Sequence, residues 1–206
     1  MTHTLHRTGT PTDQAADYTL MAMATKDANL KGSREKLVGI LRICLKHNPI
    51  NIGDTQQGDM YLLGSAEEVF KRMVDGAIAH AHFDSKDNLI NALKEIREAD
   101  LGMSVIVTGL FDQVKDCCSQ AGLTPHTQAL SLGIWGKTDK LPDRKHLDLH
   151  TMCGHAMVPV TLIDSVVEKI KAKQLTVEQG AVELTKPCVC GVFNPTRAAE
   201  VLQRFV

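Results

Sequence analysis

Three of the six cysteines and two histidines sit in two short clusters near the C-terminus, spaced for soft-metal or thiol chemistry. The first cluster holds His150, Cys153, Gly154 and His155. The second holds Pro187, Cys188, Cys190 and Gly191. Thiolates and imidazoles gathered round one point bind zinc or an iron–sulfur cluster, or act as nucleophiles. Cys188 and Cys190 flank a single residue, so in an extended segment their side chains point the same way. Gly154 and Gly191 let backbone amides approach the sulfurs, and amide dipoles lower a thiol pKa. Cys153, His155, Cys188 and Cys190 together have the ligand count of a tetrahedral zinc site, with His150 as a further candidate. His155 is also the candidate acid/base group beside an open coordination position. The spacing is not the paired Cys-x-x-Cys framework of a zinc ribbon. Metal-free thiol chemistry and plain burial of three small apolar side chains are the competing readings.

The segment between the clusters must bring them together. Pro159 suits a first helical turn, and Ile163, Val166, Val167 and Ile170 make the apolar stripe of a helix reaching about Lys173. Thr176 with Gln179 is a capping box opening a second helix that ends before Pro187. The first helix carries the chain roughly 20 Å out and the second returns it roughly 15 Å. Cys188 and Cys190 should therefore return to Cys153. Asn194 caps a final helix that buries Ala198, Val201, Leu202 and Phe205, and Asn194 and Arg197 are candidate contacts for a carboxylate or phosphate.

The other three cysteines read as packing. Cys44 falls on the stripe of Leu37, Ile40 and Leu41, and Cys117 and Cys118 follow Leu110, Phe111 and Val114. His80, His82 and Asp84 form a second polar cluster, read as a helix end favoured by the dipole. The glycine-containing stretch 51–59 reads as a loop and lacks a phosphate-binding motif.

Strand candidates are Tyr18 to Met23, Met60 to Leu63, Met103 to Thr108, Thr127 to Trp135 and Leu147 to Thr151. Helices starting near Ser33, Ser65, Ser85 and Gly109 alternate with them. The alternation predicts an α/β fold with a mixed or mainly parallel sheet of about four to five strands, a C-terminal helical hairpin and a final helix. The continuous apolar run at Val105–Val107 suits a sheet covered on both faces. The expected organisation is a flexible N-terminal arm at 1–16, an α/β core at 17–151 and a helical region at 152–206.

Composition bounds the partners. The formal net charge is −1 and aromatics are 4% of residues, which argues against nucleic acid. No apolar run reaches membrane-spanning length, and the polar N-terminus lacks the apolar stretch of a signal peptide. The expectation is a cytoplasmic metal-binding protein, zinc or iron–sulfur, with an enzymatic role of the redox, lyase or hydrolase type. A small-molecule ligand and a homo-oligomer are compatible with it. The alternatives are a non-enzymatic binding or assembly protein in which the cysteines form a structural clip, and a cysteine-nucleophile or thiol-redox enzyme without metal.

Overall fold

The computed structural model describes residues 3–206. Five strands form one sheet: β1 (Tyr18–Met23), β2 (Asn51–Asp54), β3 (Gly58–Asp59), β4 (Ile78–Phe83) and β5 (Ser104–Thr108), in the order β3-β2-β4-β1-β5. Every hydrogen-bonded pair is antiparallel. The strand number falls in the expected range, but the mixed or mainly parallel sheet is corrected. Helix α2 (Ser33–Lys46) joins β1 to β2, and α5 (Lys86–Ala99) joins β4 to β5. Each helical crossover does return the chain parallel to the strand it left. In each case one antiparallel strand has slipped between the two: β4 between β1 and β2, and β1 between β4 and β5. This is a split βαβ topology, and it leaves no parallel neighbours.

Alternation along the strands sorts side chains to two faces. On the first, Leu20, Ile52 and Ala81 meet Leu37, Leu41, Leu89 and Leu93 of α2 and α5 in the larger hydrophobic core. Cys44 and Cys117 are fully buried there. The helices α4 (Ala66–Arg72) and α6 (Phe111–Gln120) flank this layer. The other face carries a cross-strand row of polar residues, Asn51, His82, Thr19 and Thr108, beside a row of Gly53, His80, Met21 and Ile106. Asn51, Thr19, His80 and His82 are nonetheless fully buried, so something covers them.

The cover is the C-terminal region with its own hydrophobic core. It comprises α7 (Arg144–His150), α8 (Val160–Lys171), α9 (Val177–Thr185) and α10 (Pro195–Leu202). The expected hairpin is present: Pro159 precedes α8, and Thr176 and Gln179 form a reciprocal capping box on α9. The N-terminal segment, including α1 (Pro11–Gln14), is tied to this cover through Thr8 Oγ1 to Asp148 Oδ1 at 2.9 Å and through Arg204 to Asp13. Its first two residues lie outside the described part.

Five local expectations change. Met60 to Leu63 is a one-turn helix, α3 (Met60–Leu63), because Asp59 Oδ1 accepts from the amides of Tyr61 and Leu62 at 2.9 and 2.8 Å. Leu147 to Thr151 belongs to α7 and its cap, started by Asp143 accepting from the His146 amide. The 51–59 stretch is the β2–β3 hairpin, and His80 and His82 lie in a strand rather than at a helix end. Thr127 to Trp135 is exposed and irregular, with no ladder partners and with Gly133 at φ 88°. Among the described residues no helix is long and apolar enough to cross a membrane.

Candidate functional site: a buried thiol cluster on a polar sheet face

Cys153 follows α7 in a tight turn. Gly154 stands at φ 80° and Ala156 at φ 53°, and the Gly154 amide donates to the Thr151 carbonyl at 2.8 Å. A left-handed alanine costs about 1 kcal/mol, so the turn is held by its surroundings. Cys188 follows α9, its amide donating to the Thr185 carbonyl at 2.8 Å. The chain then reverses through Gly191 at φ 78° and enters α10.

The hairpin brings the two clusters together, as the sequence requires. Cys153, Cys188 and Cys190 belong to one buried core and are 0%, 2% and 4% exposed. Cys188 Sγ lies 3.9 Å from Cys190 Sγ, and Cys153 is near enough to Cys188 for the two thiols to couple electrostatically. Each sulfur also receives backbone amides. Met157 N–H reaches Cys153 Sγ at 3.2 Å and Phe193 N–H reaches Cys188 Sγ at 3.2 Å. The His155 amide adds to Cys153, and the Val192 amide serves Cys190. No disulfide links any of the six cysteines.

The thiols divide electrostatically. The neighbouring Cys188 sulfur favours the protonated form of Cys153, and burial adds to this, so the Cys153 thiol is pushed far up. For Cys188 the neighbouring Cys153 pulls down, but Cys190 and burial outweigh it and the thiol rises to about 12. Cys190 receives the Cys188 S–H, and its pKa falls despite burial. A negative charge placed on the trio therefore settles first on Cys190.

The second cysteine loop is pressed onto β2. A Cβ at Gly53 would lie 2.8 Å from the Cys190 carbonyl oxygen, and one at Gly191 would lie 3.1 Å from the Gly53 nitrogen. Both positions must be glycine for the loop to sit so close. Gly53 is paired with His80 and Asp59 across the sheet, so the loop lies over that row. Asp59, raised by burial, makes its side-chain contact with Asn51 Nδ2 at 3.1 Å.

The remaining expected residues occupy different places. His150 Nδ1–H donates to the Val158 carbonyl at 2.7 Å, which leaves Nε2 as the lone-pair nitrogen. His155 is exposed, and its contribution to Cys153 comes through its backbone amide. Asn194 caps α10 by accepting from the Arg197 amide at 2.9 Å. Asn194 and Arg197 do bind a carboxylate, but it is the chain's own Asp17. Asn194 Nδ2 donates to Asp17 Oδ1 at 3.0 Å and Arg197 donates to Oδ2 at 2.7 Å.

Asp17 is the centre of a network that sequence reasoning missed. It is 1% side-chain exposed and also pairs with Arg7 and with His82 Nε2 at 2.6 Å. The donor directions are self-consistent. Arg7 donates to Thr19 Oγ1 at 3.1 Å, the Thr19 hydroxyl donates to His82 Nδ1 at 2.9 Å, and His82 Nε2–H donates to Asp17. Burial alone would raise the Asp17 carboxyl, but Arg7, His82 and Arg197 hold it well below the usual carboxylate range. Burial lowers the His82 pKa against the pull of Asp17, so the imidazole is neutral. The two arginines come from residues 190 positions apart, which no local pattern signals; only the strand alternation placing His82 beside Thr19 on one face was available in the sequence.

Among the described residues, no three or more His, Cys, Asp and Glu side chains are already gathered as a metal cage. The chain matches no protein-family model, no curated protein and no solved structure, so the geometry of this thiol cluster carries the functional reading.

Proposed function

We propose that the protein is a metal-binding protein in which Cys153, Cys188 and Cys190 hold one zinc-like ion, and that this ion clips the C-terminal helices to the sheet. The observation that carries the reading is the convergence of Met157, Val192 and Phe193 amides on three sulfurs of one buried core, two of which, Cys188 and Cys190, are in contact. A neutral thiol is a weak acceptor, whereas a thiolate accepts the same amides as charge-assisted bonds. The donor arrangement is therefore matched to ionised sulfur, the form that ligates metal.

Spacing selects among metals. With Zn–S bonds of about 2.3 Å, sulfurs on one tetrahedral zinc stand about 3.8 Å apart. Cys188 and Cys190 stand at 3.9 Å. Cysteines on different irons of a cluster are spread by the cluster itself, so a single ion is favoured over a multi-iron group. Protonated thiols in S–H···S contact have similar spacing, which is why the decisive measurement is metal content. The lone-pair Nε2 of His150, set by its Nδ1–H bond to a backbone carbonyl, has the second-shell pattern of a metal-bound imidazole and supplies the fourth donor. Loading then includes a local closing of the Cys153 turn.

Burial favours the clip over catalysis. All three sulfurs are nearly inaccessible, and structural zinc sites are closed whereas catalytic ones keep an open position. Reduced thiols of this kind belong to a reducing compartment such as the cytoplasm.

The test is elemental analysis of protein purified under reducing, anaerobic conditions, followed by amide exchange with and without chelator. One zinc per chain is expected, with residues 150–206 losing protection on chelation. Loading should release thiol protons at neutral pH, so affinity should fall as pH falls. Protein purified without metal, taking up no added zinc and exchanging identically with chelator, overturns the reading. Visible charge-transfer bands with stoichiometric iron overturn the choice of ion.

A further inference from the structure

Two apolar features of the chain lack a partner, one of them at the opposite sheet edge from the thiols. The first is β5, the terminal strand of the sheet, whose residues are exposed or half-buried while β2 and β3 are buried throughout. Its sequence, Ser104-Val105-Ile106-Val107-Thr108, has no charge, proline or bulge. Natural edge strands are normally guarded by such features, because bare amides and carbonyls recruit another strand. Beside it lies a cleft of about 250 Å³ lined by Ile40, Leu93, Leu101, Met103, Val105 and Leu123. That is below the roughly 300–1,000 Å³ of small-molecule pockets, and it suits one or two apolar side chains.

The second feature is the irregular segment that follows Leu123, a lining residue of this cleft, and that turns at Gly133, φ 88°. Leu130, Leu132, Ile134 and Trp135 are 61%, 84%, 49% and 81% exposed. Leu130, Leu132 and Ile134 alternate with Ser131 and Gly133, the period of a strand with one apolar face. Such a cluster of large exposed apolar side chains marks an interaction segment.

We infer that two copies of this chain associate by exchanging these segments: residues 130–135 of each copy add as a strand to the β5 edge of the other, and the Leu130, Leu132 and Ile134 face fills the other's cleft. The chain itself supplies both halves of the contact. The acceptor has open backbone groups and an apolar cleft of side-chain size; the donor has strand alternation and the matching apolar face. Strand addition supplies main-chain hydrogen bonds and alternate-side pockets supply register. Reciprocal exchange closes with two-fold symmetry and leaves no free edge for a third copy.

The test uses the full chain. Sedimentation velocity across a hundredfold concentration range should show a monomer–dimer equilibrium. Trp135 is the single tryptophan, so its emission should shift to the blue and resist quenching in step with dimer formation. Leu132→Glu should weaken association at least tenfold while leaving the thermal unfolding of the monomer unchanged, because Leu132 is almost fully exposed. Ile106→Lys on β5 should weaken it as well. A monomer throughout the range overturns the proposal, whether its 130–135 amides are protected, which would mean that the segment folds onto its own edge, or unprotected. A dimer indifferent to Leu132→Glu overturns it too.

Discussion

Replacing Asp17 with asparagine keeps the shape and removes one charge from the hub that joins the N-terminal segment, the sheet and α10. The carboxylate is 1% exposed and faces Arg7, Arg197, His82 and Asn194. A charge pair at about 4 Å is worth about 4 kcal/mol at an effective dielectric constant of 20. Two guanidiniums therefore lose about twice that in gross attraction. The asparagine recovers part through its amide hydrogen bonds, and the buried carboxylate's own desolvation is no longer incurred. The net loss expected for breaking such a buried pair is about 3–5 kcal/mol. For a chain of this size that corresponds to a fall in Tm of roughly 6–20 °C. The sign with pH follows from the depressed carboxyl. Asp17 contributes stability above its ordinary pKa of about 3.9, and that contribution is lost as pH falls below it. Denaturant titrations at several pH values should therefore show a wide gap between parent and Asp17→Asn at pH 7 that narrows below about pH 4. Adding Arg197→Met should restore part of the loss, because one buried cation is removed with its partner. A loss under about 1 kcal/mol at pH 7, or a gap that does not change with pH, would refute the hub as a stabilising element.

Gly53→Ala should cost about 1–3 kcal/mol by overpacking, since its Cβ would stand 2.8 Å from the Cys190 carbonyl oxygen; thermal melts should show the loss and a zinc competition assay should show weaker retention, and an unchanged protein would mean that the cysteine loop does not rest on β2. Cys44→Ser should lower stability by roughly 1–3 kcal/mol through burial of a hydroxyl while metal content stays constant, because Cys44 is fully buried in the helix–sheet core; loss of metal with unchanged stability would contradict that placement. His82 is neutral in the fold with a lowered pKa, so its contribution is present above about pH 6.5 and lost as pH falls through that value, where the unfolded chain takes up a proton that the folded ring refuses. His82→Gln should remove that slope, up to about 1.4 kcal/mol per pH unit; parallel profiles for parent and variant would refute the neutral ring.

The C-terminal unit was the most legible part of the chain because its signals are local. Pro159, the Thr176–Gln179 box and the Asn194 cap each act within one helical turn, and together they determine that Cys188 returns to Cys153. The sheet misled because burial and strand direction leave the same trace in sequence. Ala79, Ala81 and Phe83 face the helices while His80 and His82 are buried beneath the C-terminal unit, so β4 is covered on both faces although antiparallel. A polar buried face erases the alternation that normally marks an antiparallel strand. Val105–Val107, the run that most resembled a central parallel strand, is instead the half-covered edge. Leu147–Thr151 misled for a simpler reason: Leu147 and Leu149 alternate with Asp148 and His150 as in a strand, but the stretch is too short for that period to decide, and the Asp143 cap decided for helix. The Asp17 hub was invisible because its members are scattered from Arg7 to Arg197 and only the finished sheet assembles them.

That scattering has a consequence for the order in which the protein can mature during synthesis. The sheet and its helices are complete by about residue 120, with every strand pairing made between residues 18 and 108. Arg197 reaches Asp17 across 180 positions, and Arg204 reaches Asp13 across 191. Until Asn194 and Arg197 leave the ribosome, the half-made protein carries an Asp17 carboxylate with two of its partners missing and a row of histidines and threonines still in water. A polar face tolerates that wait, whereas an apolar one would invite association with other nascent chains. The hydrophilic interlayer that hid the sheet from sequence reading thus lets a solvated intermediate stand safely until its lid is translated.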